Sequence, residues 1–189
     1  MRGILHMIVV LSLICATSGA VLVNLKQATK NQIEQQVLTY VQGPALLSVL
    51  ENRDNDPIAE RVTIKDVTVF PAIKDGKLVG VALESFAPGY SGNIGVMVGF
   101  DVNKDELLGI GITTQTETPG LGTRVTEPSF TNRFKAHGLE SMQITSKGGD
   151  VDSIAGATYS SVGTVDAVRK AIKVYQSIKP EISSIWKMS

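Results

Sequence analysis

Apolar residues dominate the start of the chain: between Arg2 and Lys26 the 23 residues Gly3 to Leu25 include no Lys, Arg, Asp or Glu. As a helix rising about 1.5 Å per residue, this run is long enough to cross a bilayer core of about 30 Å. A cleaved leader is the competing reading, because Ala16-Thr17-Ser18-Gly19-Ala20 supplies small residues after an apolar core. An uncleaved anchor is favoured, since apolar character resumes at Val21-Leu22-Val23. Ile33, Val37, Leu38 and Val41 then recur at helical spacing, and Gly43-Pro44 is expected to end that helix. Strand composition follows at 66–70 and 78–86, joined by the turn pair Asp75-Gly76, and at 94–101 and 107–114, joined through Asn103-Lys104-Asp105. These four strands predict an antiparallel sheet in which Gly95, Gly99, Gly109 and Gly111 mark bulges or close packing. Beyond it come a short helix at 128–136 and strand candidates at 139–145 and 151–154. The final helix spans about 160–179 with Val165, Val168, Ile172 and Tyr175 as its apolar stripe, and Pro180 is expected to stop it. The fold class is therefore α+β, with an anchor at 1–26, a helical connection at 27–60 and a sheet-and-helix domain at 61–189.

Composition narrows the chemistry. Lys and Arg together equal Asp and Glu at 18 each, and no basic patch with interleaved aromatics appears, so nucleic acid is not an expected partner. Cys15, inside the apolar run, is the only cysteine, which leaves the domain without a disulfide or a cysteine-ligated cluster. His137 stands alone there, so no metal site is expected. Redox work in such a domain calls for an organic cofactor. Phosphate loops, nucleophile elbows and complete dinucleotide fingerprints are absent from the sequence.

One stretch does offer chemistry. Asp152-Ser153-Ile154-Ala155-Gly156-Ala157-Thr158-Tyr159-Ser160 carries a short apolar segment through small residues into the last helix. Gly156 and Ala157 clear space around the Thr158 hydroxyl, and the N–H groups opening the helix favour an anion there. The plainer alternative is a corner in which Thr158 or Ser160 caps the helix. Two glycine-rich loops precede it, Gly89-Tyr90-Ser91-Gly92 and Glu117-Thr118-Pro119-Gly120-Leu121-Gly122.

These three motifs, in this order behind one apolar helix, resemble the FMN-binding subunits of membrane electron-transport complexes. The likeness is closest to the G subunit of Rnf-type ion-translocating oxidoreductases and extends to the C subunit of sodium-translocating NADH:quinone oxidoreductases. The resemblance implies covalent FMN joined through its phosphate to Thr158, attached by a separate flavin transferase that recognises a motif beginning at Asp152. Ala155 departs from the Ser or Thr more usual at that position in the motif. It further implies cofactor contacts from Gly156, Ala157 and Ser160, from Gly89, Tyr90 and Gly92, and from Glu117, Thr118, Gly120, Leu121 and Gly122. The expected role is non-catalytic electron transfer in a complex that couples ferredoxin and NAD chemistry to Na⁺ or H⁺ movement. Its partners would include a second flavoprotein and iron–sulfur subunits, with the domain held on the extracytoplasmic face of the cell membrane by a single span. A stand-alone membrane-anchored FMN reductase and a non-redox assembly module are the alternatives. Residue chemistry agrees on one point: a threonine hydroxyl is too weak a nucleophile to attack a pyrophosphate unaided, so a second enzyme must activate it.

Overall fold

A computed structural model describes residues 2–140 and 142–186, and the side chain of residue 31 is not among those described. The chain separates into two compact units between Tyr40 and Val41, inside the stretch expected to be the connection. The first unit is dominated by helix α1, Arg2–Gln36. Its segment Arg2–Lys30, 29 residues, is long and apolar enough to cross a membrane.

Gly43-Pro44 does not end helical structure. A π-helix, Val37–Gln42, is followed by helix α2, Gly43–Val49, which carries the proline at its start. A proline in the first helical turn sacrifices only an N–H that has no partner within the helix, so it is tolerated there.

The second unit is built on five antiparallel strands in the order β1-β2-β3-β4-β5. They are β1, Val62–Ile64; β2, Val67–Lys74; β3, Lys77–Pro88; β4, Asn93–Asp101; and β5, Glu106–Thr114. The expected four-stranded antiparallel sheet thus gains a short first strand, whose register pairs Val62 with Val69 and Ile64 with Val67. Asp75 and Gly76, both at positive φ, make the β2–β3 turn as the sequence predicts.

The sheet buries both faces. Against one lies helix α4, Thr158–Ile185. Val165, Val168, Ile172 and Tyr175 are all buried, and the Tyr175 ring stacks on Phe100 with centroids 4.3 Å apart. Each such side chain contributes about 1.5–3 kcal/mol by leaving water. On the other face α2 packs against β4 and β5, and here the strand glycines find their reason. A Cβ at Gly111 would stand 2.8 Å from the Ala45 Cβ, and one at Gly99 would meet Val49. Pairing register also shifts at Gly95/Val96 and Gly99/Phe100, so both expected roles, bulge and close approach, occur.

Three other expectations change. Pro180 lies inside α4 rather than ending it. An interior proline costs about 3 kcal/mol, but Ile178 and Ile182 on either side are fully buried and their burial offsets the lost backbone bond. The Lys65–Glu181 ion pair at 2.5 Å also ties this last part of the helix to the β1–β2 turn. The strand candidates at 139–145 and 151–154 reduce to a single parallel bridge, Ile144 with Val151, around a 3₁₀ turn at Thr145–Lys147. Residue 141 of the first candidate lies outside the described residues. Finally, the short helix at 128–136 is α3, Pro128–Thr131, continued by a 3₁₀ turn, Asn132–Phe134. Phe130 and Phe134 meet edge to face beneath it, 5.5 Å between centroids.

Candidate flavin site

At the N-terminal end of α4 the three glycine-rich stretches come together around a cavity of about 510 Å³. That volume lies within the range of small-molecule sites, about 300–1,000 Å³. Tyr90 enters from the β3–β4 loop; Glu117, Thr118, Leu121 and Gly122 line it from the loop after β5; Gly156, Ala157, Thr158 and Ser160 come from the corner and first turn of α4, together with Tyr159. Tyr159 is the one lining residue that the sequence reading leaves out. An aromatic residue directly after the candidate acceptor Thr158 was the available signal. The rings of Tyr90 and Tyr159 stand 6.1 Å apart and both are largely exposed at the cavity. Gly89, Gly92, Gly120 and Asp152 do not line it.

Two of the corners use the same local solution. In Ile154–Ala157 the Ala157 N–H donates to the Ile154 carbonyl (2.9 Å) with Gly156 third in the turn at φ +81. In Thr118–Leu121 the Leu121 N–H donates to the Thr118 carbonyl (3.1 Å) with Pro119 second and Gly120 third at φ +73. A positive φ at the third residue is the position that glycine fills without steric cost, and proline presets the second. The turns touch, because a Cβ on Gly156 would stand 3.0 Å from the Leu121 Cδ1.

The capping expectation is corrected. Ala157 is the N-cap of α4 and makes no side-chain cap, while Thr158 opens the helix as its first residue and is exposed. Ser160 and Ser161 are buried inside the first turn. Ser161 Oγ donates to the Ala157 carbonyl (2.9 Å) and accepts from the Ile154 N–H (3.0 Å), which staples the corner to the helix from within. With the cap absent, the first-turn N–H groups keep the partial positive charge of a helix start, and α4 has no acidic residue of its own there.

The acid comes from elsewhere. Glu117 is 4% exposed, and its Oε2 accepts from Ser160 Oγ at 2.5 Å. Its Oε1 accepts from the N–H groups of Tyr90 and Ser91, each at 3.0 Å. One carboxylate therefore joins all three stretches. The loop glycines make room for it: a Cβ at Gly89 would lie 2.6 Å from Glu117 Oε1, and one at Gly122 would lie 2.7 Å from Glu117 Cβ. Gly92 closes its own loop by accepting from the Gly89 N–H (2.7 Å). The glycines expected to approach the ligand closely are thus, at 89 and 122, the ones that let a buried carboxylate in.

Residues 89–173, which include every residue lining this cavity, match the FMN-binding domain family, and that match makes the unit a flavin-binding module. The G subunit of the ion-translocating oxidoreductase complex of Aliivibrio fischeri (strain MJ11) is 30% identical over 93% of this chain and 92% of its own length. Its counterpart in Vibrio parahaemolyticus is 31% identical over 90% of this chain and 88% of its own. The chain belongs to this family of G subunits. Among solved structures, NqrC of Shewanella oneidensis superposes with a TM-score of 0.55 at 21% identity, over 71% of this chain and 73% of that one. The C subunit of the Na(+)-translocating NADH-quinone reductase of Parabacteroides distasonis gives 0.53 at 25% identity, over 67% and 71%.

Proposed function

We propose that the protein is the electron-carrying subunit of a membrane-bound, Rnf-type ion-translocating oxidoreductase complex, and that its FMN is bound covalently through the phosphate to Thr158. The observation that carries this reading is the placement of Thr158. Its position, exposed at the first residue of α4 and on the wall of the cavity, combines access for an attaching enzyme with a helix start that favours an anionic phosphoester.

Attachment is a transfer from FAD. The Thr158 oxygen bonds to the phosphorus of the FMN half, the pyrophosphate bond breaks, AMP leaves, and the hydroxyl proton passes to a base of the flavin transferase. Asp152, exposed and outside the cavity, suits recognition by the transferase better than contact with the cofactor.

Bound FMN supplies reversible uptake of electrons. The chain's own part is to hold it. Thr158 fixes the phosphate, the exposed rings of Tyr90 and Tyr159 offer faces for stacking, and Leu121 gives an apolar wall. Tethering retains the cofactor on the extracytoplasmic side, where a dissociated flavin would be lost. Helix α1 serves as the anchor, and the other subunits of the complex, among them a second flavoprotein and iron–sulfur proteins, supply and receive the electrons.

Co-expression of the full chain with a flavin transferase tests this. Mass spectrometry of the peptide containing Thr158 should show an added FMN, and in-gel flavin fluorescence should disappear in Thr158→Ala. Wild-type protein without covalent flavin, or flavin found on another residue, refutes the assignment. For topology, a reporter fused after Ser189 that is active only in the cytoplasm overturns the placement.

A further inference from the structure

Glu117 is a buried carboxylate whose three hydrogen-bond partners among the described residues, two backbone N–H groups and one hydroxyl, are all neutral. Among the same residues no Lys, Arg or His forms an ion pair with it. Neutral donors solvate a carboxylate without cancelling its charge, and a charge in a poorly hydrated site acts over longer distances than one in water. Glu117 also lines the cavity shared with Thr158, and its carboxylate is bonded to Ser160, another lining residue. A purely structural latch did not require an acid here, because glutamine has the same shape. Its amide oxygen could accept from the Tyr90 and Ser91 N–H groups, and its NH₂ could donate to the Ser160 hydroxyl oxygen.

We infer that Glu117 is a positioning residue that also sets the reduction potential of the flavin, by holding against the cofactor cavity a fixed negative charge that no cationic side chain pairs. This rests on the reading that FMN occupies that cavity. Uptake of two electrons and one proton makes a flavin one charge more negative. A neighbouring fixed anion disfavours that change, so it lowers the potential and makes the reduced cofactor a stronger donor. Ser160, Tyr90 and Ser91 moderate the effect by sharing the charge through their hydrogen bonds.

The test uses the detergent-solubilised full chain, flavinylated by co-expression with a flavin transferase and titrated with dithionite in the presence of redox mediators. Glu117→Gln keeps the hydrogen-bonding shape and removes the charge, so the midpoint potential should rise. Ser160→Ala keeps the charge and removes one donor, so the potential should fall. General loosening of the pocket would move both variants the same way. Opposite shifts support the inference. An unchanged or lowered potential in flavin-loaded Glu117→Gln overturns it. If Glu117→Gln fails to load, Ser160→Ala decides alone: a lower potential supports the inference, and an unchanged or higher one overturns it. Absence of covalent flavin in the wild type is a different result, which defeats the Thr158 assignment before any potential is measured.

Discussion

Removing the Glu117 side chain should do more damage than its place on a surface loop suggests. In Glu117→Ala three donors lose their acceptor at once: the N–H groups of Tyr90 and Ser91 and the hydroxyl of Ser160. A buried donor left unpaired costs about 1–3 kcal/mol. The two backbone donors sit in a part-buried loop that water can reach, whereas the Ser160 hydroxyl is buried, so the three do not contribute equally. The desolvation penalty of the carboxylate itself is recovered. The net expectation is a loss of about 2–4 kcal/mol, a large fraction of the roughly 5–15 kcal/mol typical of a domain. Glu84→Ala is the control. Glu84 accepts from the side chains of Gln42 and Thr113 in part-buried bonds and from no backbone N–H, so about 0.5–1 kcal/mol is expected. Urea unfolding followed by the fluorescence of Trp186, the only tryptophan and packed against the core, reads both variants. The midpoint for Glu117→Ala should fall by about 1–2 M with an unchanged slope, while Glu117→Gln stays near wild type. A Glu117→Ala variant no worse than Glu84→Ala would falsify the view that this carboxylate holds the three stretches together.

Two further outcomes are expected. Gly111→Ala should destabilise the protein by about 1–3 kcal/mol by pushing α2 off the sheet, whereas Gly76→Ala should cost less steric strain, since nothing lies near its Cβ and only its positive φ opposes the change; paired urea titrations compare them. Burial, and secondarily the Asp105 carboxylate, pushes the Tyr175 phenol well above its ordinary value of 10.0. A raised folded-state pKa means that this stability is fully present below the unfolded value and is lost as pH climbs toward the folded one. Wild-type unfolding free energy should therefore decline above about pH 10, and this part of the decline should be missing in Tyr175→Phe. In absorbance titration at 295 nm the last wild-type phenolate should appear only with unfolding, and its appearance in the folded state would count against the assignment.

Local rules were enough for much of this molecule. The apolar part of α1 follows from an uncharged run, the β2–β3 hairpin from Asp75-Gly76, and the buried face of α4 from the spacing of Val165, Val168, Ile172 and Tyr175, because each depends on neighbours a few residues apart. Element ends were less secure wherever tertiary packing outweighed a local breaker. Pro44 opens a helix and Pro180 lies inside one, since burial on either side of Pro180 exceeds what one backbone bond is worth. The same division runs through the site. Thr158 could be singled out from small residues before an amphipathic helix, and the two upstream loops from their glycines. What the glycines accommodate could not be read in one dimension: Gly99 and Gly111 admit α2, while Gly89 and Gly122 admit Glu117. Sequence alone determined which local geometries the backbone could adopt, because φ preferences and apolar spacing are properties of short segments. Only the tertiary structure decided that residues 90, 117 and 160 share one carboxylate, because hydrogen bonds between residues 27 and 43 positions apart exist only once the sheet and α4 have brought those segments together.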